Sequence, residues 1–311
     1  MSGHVLAAEP THSRWNRALP PRLDIEAGDT VRFQCVEAAG GQVHRGMSLE
    51  ELSTIDRGRV HALTGPVFIR GAQPGDVLEV EILEIAHHGW VYSTIVPGLG
   101  FLKERFSDPF LLHWHLLPYE TRSLEPAVIP LRPFCGVMGV ASDVDGEFRT
   151  RPPGPFGGNM DVRELSAGAR LYLPVFNPGA LFSCGDGHAA QGDGEVCING
   201  IECPLDATLR FHLHRGHTLT APIIESSQRA NSTRPDSWIV VESDEDPLRA
   251  ARNATSRMVD LLMRLWGFTG VHAYILCSVA MHLRLSQVVN EPMITVSAAI
   301  AKHILPERRL F

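Results

Sequence analysis

The sequence predicts a mainly β fold closed by a short α+β segment, and three observations carry that expectation. Apolar and polar residues alternate with a period of two in several short stretches, Gly- and Pro-rich turns separate them, and a long helical pattern occurs only near the C-terminus. With 311 residues, 44% of them apolar and 20% charged, the chain can bury a sizeable core and does not have the composition of a disordered protein.

The elements follow in order. In GDVLEVEILEI (75–85), Leu78, Val80 and Ile82 share one face and Glu79 and Glu81 the other, as in a half-buried antiparallel strand. Similar short strands are expected at 30–35, 66–70, 170–175 and 208–213, separated by the turn signals EAGD, GAQPGD, RPPGPFGG and NPGA. This is the pattern of sandwiches or barrels rather than of alternating βαβ units. From 248 to 266, Met258, Leu261, Leu262 and Leu265 recur at helical spacing with no Gly or Pro between them. Gly267 ends that helix, Thr269 caps a second one reaching about 281, and LRLSQVV (283–289) alternates as a strand. The expected division is a β-rich catalytic body over 1–240 and an α+β segment over 241–311 packed on it.

Several function classes lose their support at this point. The net charge is −7, with no long run of Lys or Arg, so nucleic acid is not an expected partner. The N-terminus lacks the pattern of a secretory signal and no window holds eighteen uninterrupted apolar residues, so no membrane partner is expected either. Six cysteines without C-x-x-C spacing read as thiols in a reducing compartment, with the cytoplasm as the expected location. G-x-S-x-G, Walker, H-E-x-x-H and G-x-G-x-x-G motifs are all missing.

The stretch SCGDGHAAQGDGE (183–195) is read as a loop whose glycines bring Asp186, His188, Asp193 and Glu195 together. Carboxylate oxygens with one imidazole suit Zn²⁺, Mn²⁺ or Ca²⁺, and Asp186 and His188, two apart, point the same way on an extended segment. The same spacing also fits a Gly/Asp hairpin turn with solvated acids. GGNMD (157–161) repeats the chemistry with Asn159 and Asp161, and His61 stands before a tight Thr-Gly-Pro turn from which it can reach a site. His212 and His214 share a strand face without a carboxylate nearby in sequence and read as exposed strand. Cys184 has no base fixed beside it and makes a poor nucleophile candidate.

Taken together, these segments resemble the acetamidase/formamidase family of amide hydrolases nearly end to end. The similarity runs through GDTVRF and EAAGGQ, VHALTGPVFIRGAQPGDVLEVEI, GWVYSTIVPGLGFL and PFCGVMGVAS. It is strongest in GGNMDVRELSAGARLYLPVFNPGALFSCGDGHAAQGDGEVCINGIE and closes with AYILCSVAMHLRLSQVVNEP. The resemblance implies a β-sandwich with a small barrel-like part and an α+β segment, a metal-assisted amidase activity, and a homo-oligomer. Three departures stand out. Trp15-Asn16-Arg17 replaces the family's Trp-Asp-Asn, His61-Ala62 replaces His-Pro, and Tyr92 replaces a Trp.

Amide hydrolysis needs an activated water, a stabilised oxyanion and a proton for the leaving nitrogen. A bound divalent metal supplies the first two and a carboxylate the third. Within the family's polar motifs, Asp186, His188 and Asp161 are the expected metal ligands, with His61 as a fourth and zinc ahead of manganese or calcium. Glu195 is the expected base and then acid, Asp193 a second catalytic carboxylate, and Asn159 and Gln191 orient the substrate amide. A lactam or other substituted amide would be served by the same chemistry. A non-catalytic β protein with a structural Ca²⁺ loop is the remaining alternative, and His188 argues against it because imidazole suits so hard an ion poorly.

Overall fold

The computed structural model describes residues 2–227 and 234–311. Two sheets organise them. The larger has nine strands in the order Gly3–Leu6, Thr30–Cys35, Leu205–His214, Val77–His87, Arg170–Pro174, Ile223–Glu225, Ser237–Asp244, Ile294–Ala301 and Met281–Gln287. The smaller has five, in the order Gly157–Asn159, Phe134–Gly139, Phe182–His188, Leu63–Ile69 and Leu23–Ile25. Both are antiparallel apart from one parallel pair at an edge of each. None of the described sheets closes into a barrel, so the barrel-like part implied by the resemblance is an open sheet.

The two sheets share one core, as alternating apolar residues on facing sheets require. Val31, Phe33 and Phe211 of the large sheet are buried with Val67, Ile69 and Phe182 of the small one. The Phe182 ring stands edge-on to Phe33 at 5.8 Å and to Phe211 at 5.2 Å, a geometry in which positive ring edges meet negative faces.

The helical pattern near the C-terminus gives the helix Pro247–Trp266. Asp246 caps it by accepting from Leu248 N at 2.8 Å, Pro247 opens it, and Gly267 ends it with a left-handed φ of 72°. Its buried stripe, Ala250, Ala254, Met258, Leu261 and Leu262, packs against Trp238, Val240, Ala298 and Ile300 of the large sheet. A second helix, Gly270–Ala280, starts at Thr269 as its capping pattern predicts. The strand expected at 283–289 runs over Met281–Gln287 instead. It stops early because the Gln287 side chain turns back to accept from Val289 N and Asn290 N, both at 2.9 Å. The segment 241–311 thus extends the large sheet and lays a helical pair on it.

The stretch 183–195 corrects the expectation of a loop. Residues up to His188 belong to the buried central strand Phe182–His188 of the small sheet, and only the remainder turns. Gly185 and Gly187 serve close packing there. A Cβ on Gly185 would lie 2.6 Å from the Ala62 carbonyl oxygen, and one on Gly187 would collide with that of Cys203. All six cysteines are free thiols. No helix among the described residues is long and apolar enough to cross a membrane.

Candidate active site

His188 lies at the centre of a buried acidic group. Its Nε2 is 2.9 Å from Glu202 Oε1, 3.7 Å from Asp186 Oδ1 and 3.8 Å from Glu195 Oε1, and its Nδ1 is 3.9 Å from Asp161 Oδ1. Each carboxylate arrives from a different piece of chain. Asp186 shares the strand of His188, and Asp161 follows the edge strand Gly157–Asn159. Glu195 leaves the Gly-Asp-Gly turn, and Glu202 is drawn in by backbone pairing with both Tyr92 and His188. Asp161, Asp186 and His188 form one set whose ligand atoms lie within 4.8 Å of one another, and His188, Glu195 and Glu202 form a second.

Two features show that the fold is bent to make this group. Asp161, Asp186 and Glu195 have φ of 49°, 57° and 48°, a left-handed region that costs a residue with a Cβ roughly 1–2 kcal/mol. Beside them, Gly136 leaves the room they occupy. A Cβ there would collide with Asp161 Oδ1 and stand 2.7 Å from Asp186 Oδ2.

Four buried carboxylates against one imidazole leave negative charge uncompensated. Asp161 Oδ1, Glu195 Oε2 and Glu202 Oε2 are buried without a hydrogen-bond partner among the described residues. Burial and the nearby Asp186 push Asp161 up to about 7, and burial and Asp161 push Glu195 well above the carboxylate range. Burial raises Glu202 as well. Burial pulls His188 down, but Glu202 and Asp186 outweigh it and raise the imidazole well above its ordinary value. Without a cation the group therefore retains protons. The donor set and its orphaned oxygens suit a divalent cation.

The surrounding shell fixes the orientation of these groups. His188 Nδ1–H donates to Gln191 Oε1 at 2.9 Å, while Gln191 Nε2 donates to the Asp161 carbonyl at 2.9 Å. That amide thereby sets the imidazole tautomer and turns Nε2 toward the carboxylates. Asn290 Nδ2 donates to Asp161 Oδ2 at 2.6 Å. A cavity of about 550 Å³ opens over the group, lined at its floor by His61, Asn159, Asp186, His188, Glu195 and Glu202.

The residues expected from sequence separate into two sets. Asp161, Asp186, His188 and Glu195 come together, and Asn159 faces the cavity with its Oδ1 buried and unpartnered. His61 lines the cavity with an unpartnered Nδ1, outside both ligand sets. Gln191 does not line this cavity; it supports His188 and Asp161 from behind. Asp193 is not brought to the group, since Gly194 pins the turn to the chain at Ser286 and Val288 and Asp193 is ion-paired to Arg234 at 2.6 Å. Sequence reasoning missed Glu202 and Asn290. Both stand inside the family-like runs, in NGIE and VVNEP, but only long-range pairing shows that they meet His188 and Asp161.

Of the three departures, Tyr92 lines the cavity and donates its hydroxyl to Glu37 at 2.8 Å, and Ala62 is buried outside the lining. Arg17 pairs with Asp145, also outside it.

Comparison with known proteins finds relatives over nearly the whole chain. The sequence profile of the Acetamidase/Formamidase family matches residues 4–147 and 143–307. The acetamidase of Mycolicibacterium smegmatis is 27% identical, covering 86% of this chain and 85% of its own. A predicted acetamidase/formamidase from Thermoanaerobacter tengcongensis superposes with a TM-score of 0.90 at 27% identity over 98% of both chains. An acetamidase from Bacillus halodurans superposes with a TM-score of 0.88 at 31% identity, over 96% of this chain and 98% of its own. The chain belongs to the acetamidase/formamidase family of amide hydrolases.

Proposed function

We propose that this chain hydrolyses a small aliphatic amide of the formamide or acetamide type, to the carboxylate and ammonia, at the floor of the cavity around His188. The observation that carries the reading is the pair of buried, partnerless carboxylate oxygens, on Glu195 and Glu202, at residues that line that cavity. Asp161, Asp186 and His188 would hold a divalent cation, with His61 as a further donor from the cavity wall. Zn²⁺ or Mn²⁺ suits the imidazole better than Ca²⁺ does. When bound, the cation supplies polarisation of the amide carbonyl and a water that ionises near neutral pH.

The chain's own residues do the rest. Glu195 takes a proton from the attacking water and passes it to the departing nitrogen. Its Oε2 has no competing partner, and burial and the nearby Asp161 raise its proton affinity above that of an ordinary carboxylate. Asn159 Oδ1 accepts an N–H of the substrate amide and so presents the carbonyl carbon to the water. Gln191 and Asn290 hold His188 and Asp161 in place. The free thiols fit a reducing compartment such as the cytoplasm. Val271, Tyr274, Ile275 and Val279, each more than half exposed on the helix Gly270–Ala280, offer a surface for a homo-oligomer, which light scattering would reveal.

Two variants test the assignment. Glu195→Gln is expected to retain the metal by elemental analysis and lose at least about 10²-fold in ammonia release, whereas Asp186→Asn loses metal and turnover together. Near-normal turnover in Glu195→Gln would overturn the role given to Glu195.

A further inference from the structure

The cavity is much larger than a two-carbon amide requires. At about 550 Å³ it falls within the range of roughly 300–1,000 Å³ that holds drug-sized ligands. The four non-hydrogen atoms of acetamide fill about as much space as three waters, ~90 Å³.

The charge on its walls is also specific. Arg14, Arg57, Arg149 and Arg151 all line it, and among the described residues none of the four is ion-paired to a carboxylate. Arg14 and Arg149 stand directly opposite each other in the pair Arg14–Trp15 and Phe148–Arg149, where like charges repel. Arg14 Nη1 donates to Ser13 O at 2.9 Å and reaches Gly58 O, the residue after Arg57, at 3.5 Å. Thr150, between Arg149 and Arg151, accepts from His61 N at 3.0 Å, which ties this cationic wall to the edge of the acidic floor. Arg151 is partly buried, and Glu291, whose charge reaches it, is already ion-paired to Lys103 at 2.9 Å. Apolar side chains, among them Leu52 and Ile55, complete the wall.

A cavity with hydrolytic chemistry at one place and guanidinium groups without a carboxylate partner at another selects a molecule with an amide at one end and an anion at the other. Resting on the amide-hydrolase reading of the floor, we propose that the preferred substrate is a half-amide of a short dicarboxylic acid. Its amide sits on the His188 group, its methylenes run along the apolar wall, and its free carboxylate is held by Arg149 and Arg151. Guanidinium forks match a carboxylate in shape as well as charge, and the anion relieves the mutual repulsion of the arginines. The reaction stays balanced as ordinary amide hydrolysis. Water adds across the C–N bond, that bond breaks, and the products are the dicarboxylate and ammonium.

The test compares kcat/KM for succinamate, glutaramate and adipamate with that for butanamide, pentanamide and hexanamide, on the full-length protein as purified. At least one half-amide is expected to exceed its neutral match by roughly ten- to hundredfold, with the excess shrinking in high salt. Arg149→Met and Arg151→Met are expected each to lower the ratio, the double variant to bring it near one, and the Lys replacements to retain part of it. Circular dichroism checks that each variant folds, and the wild-type ratio with its salt dependence stands without them. If neutral amides are hydrolysed and no half-amide is preferred, the anion subsite is overturned while the amide-hydrolase reading survives. If no amide is hydrolysed, calorimetric titration with glutarate decides. Binding at least about tenfold weaker in the double variant supports the subsite and removes the reading of the floor, and equal binding overturns the subsite as well.

Discussion

Asp161, Asp186 and Glu195 each combine a buried carboxylate with a left-handed backbone, two costs that a fold rarely accepts at one residue. Their concentration around a single imidazole is what separates this group from an ordinary acidic turn. Gln191 is the residue whose loss isolates the orienting effect, since it touches His188 and Asp161 without lining the cavity. Gln191→Leu is expected to weaken cation affinity by about 10–100-fold, read by titration of the chelated protein with Zn²⁺. Gly136→Ala tests the space itself. Its new Cβ would displace Asp161 Oδ1, so metal content should fall sharply in a protein whose circular dichroism is unchanged.

At the scale of elements, the strand Phe182–His188 links stability to chemistry, because its first residue fills the inter-sheet core and Asp186 and His188 at its other end supply the site. Phe182→Ala should cost about 3–5 kcal/mol in urea unfolding, and Asp246→Ala, which removes only a helix cap, about 1 kcal/mol. The same strand shows where sequence reading stops. Alternation at 77–87 and helical spacing at 247–266 reveal those elements directly, since each buries one face and leaves the other wet. Phe182–His188 is buried along its whole length, so it has no alternation to show, and its glycines imitate a turn. The acidic residues near His188 in sequence are legible from spacing, whereas Glu202 and Asn290 join through pairings that no local pattern encodes. Asp193 misleads because a turn sends its side chain away from that of Glu195, two residues on.

Over the whole molecule, the uncompensated charge of the site predicts a pH-dependent stability. Asp161 keeps its proton up to about 7 when folded, because of burial and the adjacent Asp186, and releases it near 3.8 when unfolded. The folded state then binds more protons between these values, so this group's contribution to stability falls as pH rises from about 4 to about 7. Calorimetry of chelated protein should show that fall, and Asp161→Asn should flatten it. A divalent cation, which binds the deprotonated carboxylates, should restore the melting temperature most at the upper end of the window. The most direct test of metal-assisted amide hydrolysis is ammonia release from acetamide by protein as purified, after chelation, and after return of Zn²⁺ or Mn²⁺. Turnover that disappears with the chelator and returns with one of these ions is the expected result. Turnover that persists in protein shown by elemental analysis to be free of metal would contradict it.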